Sequence, residues 1–295
     1  MTTSSMESVP LRRPRITAAE RAAKPRRVPH VIAVTSGKGG VGKTHFTANL
    51  AWILRQLKRD VMVLDADLGL ANIDIVLGLT PDFNLSHVLS GQRHMNQILT
   101  HGPGGIRVLP ASSGTASITH LSDDQKLRLL EEMESLEEDF DFVLIDTSAG
   151  IAENVIYFNL AAQTMIVIVT PEPTSLTDAY ALIKVLASDY RQQRFKIVAN
   201  DVSSEREGME VFEKLVRVTD RFLNVSLDYL GHVRHDPDVR EATRMQRPFC
   251  EVFSDSCATR NLRNVARQIV SIRSDPMNGD LGLLWRNVMN RQGVA

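Results

Sequence analysis

The stretch SGKGGVGKTHF (36–46) constrains the fold of this chain more than any other feature. Gly37, Gly42, Lys43 and Thr44 satisfy GxxxxGK[ST], and the string lies between a short apolar run of β type, VIAVTS (31–36), and a helical pattern over 43–58. That strand–loop–helix context is what gives the motif its meaning. Glycines allow the backbone angles and close approach with which N–H groups surround phosphate oxygens. Lys43 is then expected to neutralise the β- and γ-phosphates of a nucleotide, and the Thr44 hydroxyl to ligate Mg²⁺.

The rest of the chain repeats this alternation. Apolar runs at 61–66, 106–111, 142–147, 165–170, 195–200 and 227–233 predict strands, and helical patterns fill the gaps, for instance at 122–138, 174–190 and 207–222. Most of the runs are continuously apolar, as in parallel strands covered on both faces. The expected fold is α/β, a doubly wound and mostly parallel sheet with helices on both faces, holding its ligand at the carboxyl ends of the strands.

Acids stand where that architecture puts chemistry. LDADLGLAN (64–72) places Asp65 and Asp67 at the end of the second strand, where paired carboxylates are tolerable at an exposed end or beside a cation. FVLIDT (142–147) is an apolar run closed by Asp146, the pattern of a carboxylate that holds a water of a nucleotide-bound magnesium. KIVANDV (196–202) ends a later strand in Asn200. The eight histidines are scattered, and no His pairs with Cys, Asp or Glu at a metal-ligand spacing. Cys250 and Cys257 match neither a disulfide scaffold nor a metal site, and are expected to act as small apolar residues in a reducing compartment.

The fuller string KGGVGKT, with a second lysine at position 38, resembles the deviant phosphate loop of the MinD/ParA group of P-loop ATPases. The resemblance implies ATP and Mg²⁺ as ligands, held by Gly37, Lys38, Gly39, Gly40, Val41, Gly42, Lys43, Thr44 and the backbone of His45. It implies that Lys38 reaches across an ATP-sandwiched homodimer to the partner's phosphates. It also implies that Asp67 orients the attacking water, that Asp65 lies near the water shell of the magnesium with Thr44 and Asp146, and that Asn200 bonds the adenine edge beneath a loop at 232–242. DTSAGI (146–151) is similar to the second nucleotide-sensing segment of that group.

Within the group, LDADLGLANIDIVLGL (64–79), GPGGIRVLPASSGT (102–115), EPTSLTDAYALIKVL (172–186) and RVTDRFL (217–223) resemble the FleN/FlhG family of flagellar number regulators, over roughly residues 30–275. This implies a slow regulatory ATPase acting with a polar signal-recognition-type GTPase (FlhF-like), with a flagellar master transcriptional activator (FleQ-like), or with both. The DQAxxLR element by which some members stimulate the GTPase is absent from residues 1–29, so that activity is in doubt or falls to a divergent segment such as ITAAERAAK (16–24). The alternative is a ParA-like partition ATPase that binds DNA non-specifically. A net charge of −1 supplies no global field for nucleic acid, and direct DNA binding is not expected. A nitrogenase iron-protein-like reductase would need cysteines placed to hold a cluster between subunits, and Cys250 and Cys257 are too close together and too late in the chain.

Three parts follow: a basic arm at 1–29, the ATPase domain at 30–275 and a C-terminal segment at 276–295. The arm carries seven Lys/Arg against two acids, too little apolar surface to offset ordering, and its basic charge suits an acidic partner or surface. In the C-terminal segment, Leu281, Leu284, Trp285, Val288 and Met289 recur at i, i+3, i+4, i+7 and i+8, an apolar stripe with basic flanks that would rest on an anionic membrane. The alternative is a terminal helix docked on the core. With no run of about 20 apolar residues and no secretory-type leader, the expected location is the cytoplasm, with peripheral attachment to the inner membrane.

Overall fold

A computed structural model of the chain describes residues 28–111, 121–136 and 138–272. The basic arm before residue 28 and the segment with Leu281, Leu284, Trp285, Val288 and Met289 lie outside the described residues.

Eight strands form one sheet: β1 (His30–Ser36), β2 (Val61–Ala66), β3 (Thr100–His101), β4 (Arg107–Leu109), β5 (Phe142–Ala149), β6 (Thr164–Val169), β7 (Arg194–Val202) and β8 (Ser226–Arg234), in the order β3-β4-β2-β5-β1-β6-β7-β8. Every pairing is parallel except that of the two-residue edge strand β3 with β4. β1 lies at the centre, between β5 and β6, so connections leave it on both sides and a crevice opens beyond its carboxyl end.

The continuous apolar runs are explained by burial on both faces. Val31 and Ala33 enter one core, and Ile32 and Val34 the other. Helices α1 (Lys43–Gln56), α9 (Pro237–Arg244), α10 (Phe249–Val252) and α11 (Cys257–Ser271) cover the second core through residues such as Leu50, Leu54, Ala242, Phe249, Leu262 and Ile269, with the short α2 (Ile73–Val76) beside them. The first is covered by α3 (Leu85–Leu89), α4 (Met95–Ile98), α5 (Asp123–Glu134), α6 (Glu153–Leu160), α7 (Pro173–Tyr190) and α8 (Glu205–Phe222). Leu50 and Leu54 are fully buried, roughly 2 kcal/mol of transfer free energy each.

Local signals set the helix starts. Ser122 and Gln125 form a capping box on α5, Ser204 caps α8 and Ser256 caps α11. Pro173 and Pro237 occupy the first positions of α7 and α9, where a missing N–H costs nothing.

Candidate functional site

The loop between β1 and α1 wraps the carboxyl end of the central strand. Two of its glycines are required by geometry. A Cβ at Gly37 would lie 2.0 Å from the Asp178 carbonyl oxygen of α7, so only glycine lets the loop pass. Gly42 has φ 93°, and a Cβ there would also meet the Asn200 Nδ2 at 2.5 Å. Gly39 and Gly40 lie open to solvent, Val41 is buried, and His45 begins α1 with its ring kept neutral by burial.

Lys43 turns inward. Its Nζ donates to Ser36 Oγ at 3.0 Å, and burial lowers its pKa against the opposing pull of Asp146 and Asp67. The acids that oppose it come from two paired strands, with Asp65 directly beside Asp146 in register. Asp146 is pushed up to about 6, first by burial; the Thr44 hydroxyl, the Lys43 charge and the Thr47 hydroxyl, 3.3 Å away, pull the other way. Asp65 is raised well above the usual carboxylate range by burial and then by Asp146. Its oxygens accept three backbone amides, Asp67 at 3.0 Å, Asn72 at 3.2 Å and Ile73 at 3.3 Å, so this carboxylate also moulds the 67–73 loop.

Asp67 lies just beyond β2 and is half-buried. Its Oδ1 accepts from Ser148 Oγ at 2.8 Å and from the Leu70 amide at 3.3 Å. The structure thus brings Lys43, Thr44, Asp65, Asp67 and Asp146 into one network. Two adjacent buried carboxylates with one lysine leave room for a further cation, and their hard oxygens beside the Thr44 hydroxyl suit magnesium. Among the described residues no three His, Cys, Asp or Glu converge as a metal cage.

Lys38 and Asn200 are engaged within the chain. Lys38 Nζ pairs with Glu172 and donates to Thr174 Oγ1 at 2.9 Å, at the start of α7. Asn200 Nδ2 donates to the Val41 carbonyl at 2.7 Å, so the side chain expected at the base clasps the phosphate loop. Between them opens a cavity of about 390 Å³ whose far wall includes Val233, Val239, Thr243 and Phe249. Asp236 braces that wall: Oδ1 caps α9 at the Asp238 amide, and Oδ2 accepts the Ala258 amide and the Cys257 thiol, both at 3.0 Å.

Ser36, Thr47, Ser148, Thr170, Glu172 and Asp236 were not singled out from sequence. Thr170 follows β6 and lines the cavity with Asn200, and its buried hydroxyl has no hydrogen-bond partner among the described residues. Cys250 is buried, which pushes its thiol up to about 12; Cys257 is half-buried.

A phosphate loop on the central strand, with acids on the neighbouring strand ends, defines a P-loop NTPase. Residues 27–270 match the ParA family, described as NUBPL iron-transfer P-loop NTPase, and the chain belongs to the ParA/MinD family. It is 48% identical over 241 residues to the antiactivator FleN of Pseudomonas aeruginosa, covering 82% of this chain and 86% of that protein. It is 30% identical to the flagellum site-determining protein YlxH of Helicobacter pylori, covering 81% of each. MinD of Pyrococcus horikoshii, solved with Mg-ADP, superposes with a TM-score of 0.67 at 28% identity, covering 85% of this chain and 98% of that one. Flagellar regulators of FleN/FlhG type are thus relatives of this chain, and the expected doubly wound fold is the one observed.

Proposed function

We propose that the protein is an ATP-driven switch that regulates the number and placement of flagella. The observation that carries this is the meeting of a complete phosphate-loop and acid network with 48% identity to an antiactivator, FleN. In this reading Lys43 neutralises the β- and γ-phosphates of ATP and the amides of residues 37–45 line them. Thr44, Asp146 and Asp65 would hold Mg²⁺ or its waters, and the ion supplies neutralisation of phosphate charge. Asp67 orients the attacking water. Asn200 meets the base with its side-chain oxygen while its N–H group holds the loop.

Two copies close around ATP, each Lys38 leaving Glu172 and Thr174 to reach the other's phosphates. The ATP dimer presents two C-terminal apolar stripes (Leu281, Leu284, Trp285, Val288, Met289), so weak individual affinities for the inner membrane multiply and residence follows nucleotide state. The domain spans 30–275, flanked by the basic arm and the membrane segment. Slow hydrolysis times release into the cytoplasm. The outputs are a polar signal-recognition-type GTPase (FlhF-like), a flagellar master activator (FleQ-like), or both.

Co-sedimentation with anionic liposomes in ATP or ADP tests this, using Asp67→Ala, which should retain the ATP dimer, and the same variant lacking 281–295. Binding in ATP alone, lost on truncation, is expected. Absence of binding in every state, together with DNA binding that falls steeply with salt, would overturn the membrane switch in favour of partition.

A further inference from the structure

We propose that Ser148 is a positioning residue for hydrolysis, acting through Asp67; the inference rests on the reading of Asp67 as the group that orients the attacking water.

Two observations support it independently. The first is the hydrogen-bond pattern. Both donors to Asp67, Ser148 Oγ at 2.8 Å and the Leu70 amide at 3.3 Å, converge on Oδ1. Oδ2 has no hydrogen-bond donor among the described residues. A carboxylate fixed through one oxygen presents the other in a single orientation, as a water-orienting group requires. The Leu70 amide belongs to the same short loop as Asp67 and moves with it. Ser148 is anchored elsewhere, on the central part of the sheet, and supplies the external reference.

The second is the backbone that carries Ser148. β5 runs in register with β1 as far as Val34 opposite Asp146, but Ser36 then lies opposite Ala149. One extra residue has entered β5 between them, a bulge just after the acid of the magnesium site. Thr147 Oγ1 donates to the Val34 carbonyl at 3.1 Å and pins the bulge to β1. Bulges reset the facing of the residues that follow them and collect beside active sites. Against β2 the register stays unbroken, with Ala66 opposite Thr147, so Ser148 falls one step further on, beside Asp67, while the bulge lets β5 shift against β1.

The hydroxyl joins the 67–73 loop to the end of β5. When Ser148 holds Asp67, the acid of one segment and the bulge of the other are set as a unit.

Single-turnover hydrolysis of Mg-ATP by the full chain tests the proposal. Ser148→Ala is expected to lower the rate constant about tenfold, the scale of one hydrogen bond to a charged group, with nucleotide affinity within about twofold. Ser148→Thr, which keeps the hydroxyl, is expected to stay within about threefold of the wild-type rate. In an Asp67→Ala background, Ser148→Ala is expected to cost nothing further, because the partner through which it acts is gone. An unchanged or raised rate in Ser148→Ala overturns the proposal. So does a tenfold loss added on top of Asp67→Ala, or a loss in Ser148→Thr as deep as in alanine. Wild-type hydrolysis in Asp67→Ala overturns the prior reading of Asp67, and the proposal with it, by a separate arm.

Discussion

On one side of β1 the strand ends carry Asp65 and Asp146, packed against each other and against the buried Lys43. On the other side β6 and β7 lead to Thr170 and Asn200, both neutral, and the wall beyond them depends on one half-exposed acid, Asp236. The acidic half buries two carboxylates side by side, and burial first, then for Asp65 the neighbouring Asp146, raises both above their usual range. In the other half Asn200 and Asp236 spend their polar groups on bracing the protein itself, and the Thr170 hydroxyl is left over. The contrast suggests a division of labour: charge in the first half is reserved for the ligand, and hydrogen bonding in the second maintains the shape of the cavity.

Lys43→Ala gives the largest expected effect and tests the first half of that contrast. Among the described residues its Nζ donates to Ser36 alone, but its charge also holds Asp146 down, so removal should lower the thermal midpoint of the free protein modestly. Affinity for Mg-ATP, measured by calorimetry, should fall by a hundredfold or more, on the order of two charge-assisted phosphate contacts. Wild-type affinity in this variant would sink the assignment of the loop.

Asp236→Ala should behave in the opposite way. It removes the acceptor for the Asp238 and Ala258 amides and the Cys257 thiol, releasing the starts of two helices at once. The expected cost is about 2 kcal/mol in chemical denaturation, with ATP affinity reduced only a few-fold. If affinity fell as far as in Lys43→Ala while stability held, Asp236 would belong to the ligand and the division between halves would fail.

The acidic half was legible in the sequence because its chemistry dictates fixed spacings and strand ends: Lys43 and Thr44 within one loop, Asp65, Asp67 and Asp146 after apolar runs. The strands themselves were legible for the same reason of double-sided burial, although the run at 106–111 shortens to Arg107–Leu109 and the edge strand Thr100–His101 has too few residues to show a period. What escaped depends on distant register. Thr47 meets Asp146 across 99 residues, Ser148 meets Asp67 across 81, and the β5 bulge exists only relative to β1. Asn200 was placed at the cavity, but its clasp on Val41 follows from the close approach of β7 to the loop, which no local pattern encodes.

Thr170 gives the smallest expected effect. Its hydroxyl is buried without a hydrogen-bond partner among the described residues, and its own backbone amide already has one in Ser175 Oγ at 3.0 Å. An orphaned buried hydroxyl costs roughly 1 kcal/mol, so Thr170→Val, close in volume, should raise the unfolding free energy of the nucleotide-free protein by up to about that amount. Selection for stability alone would favour the valine. If the hydroxyl is retained for the ligand, the same variant should bind ATP a few-fold more weakly and lose its stability advantage at saturating nucleotide, by mass action. A variant more stable in both states would mean that the neutral half contributes shape and no hydrogen bond at this position, which sharpens the contrast with the acidic half.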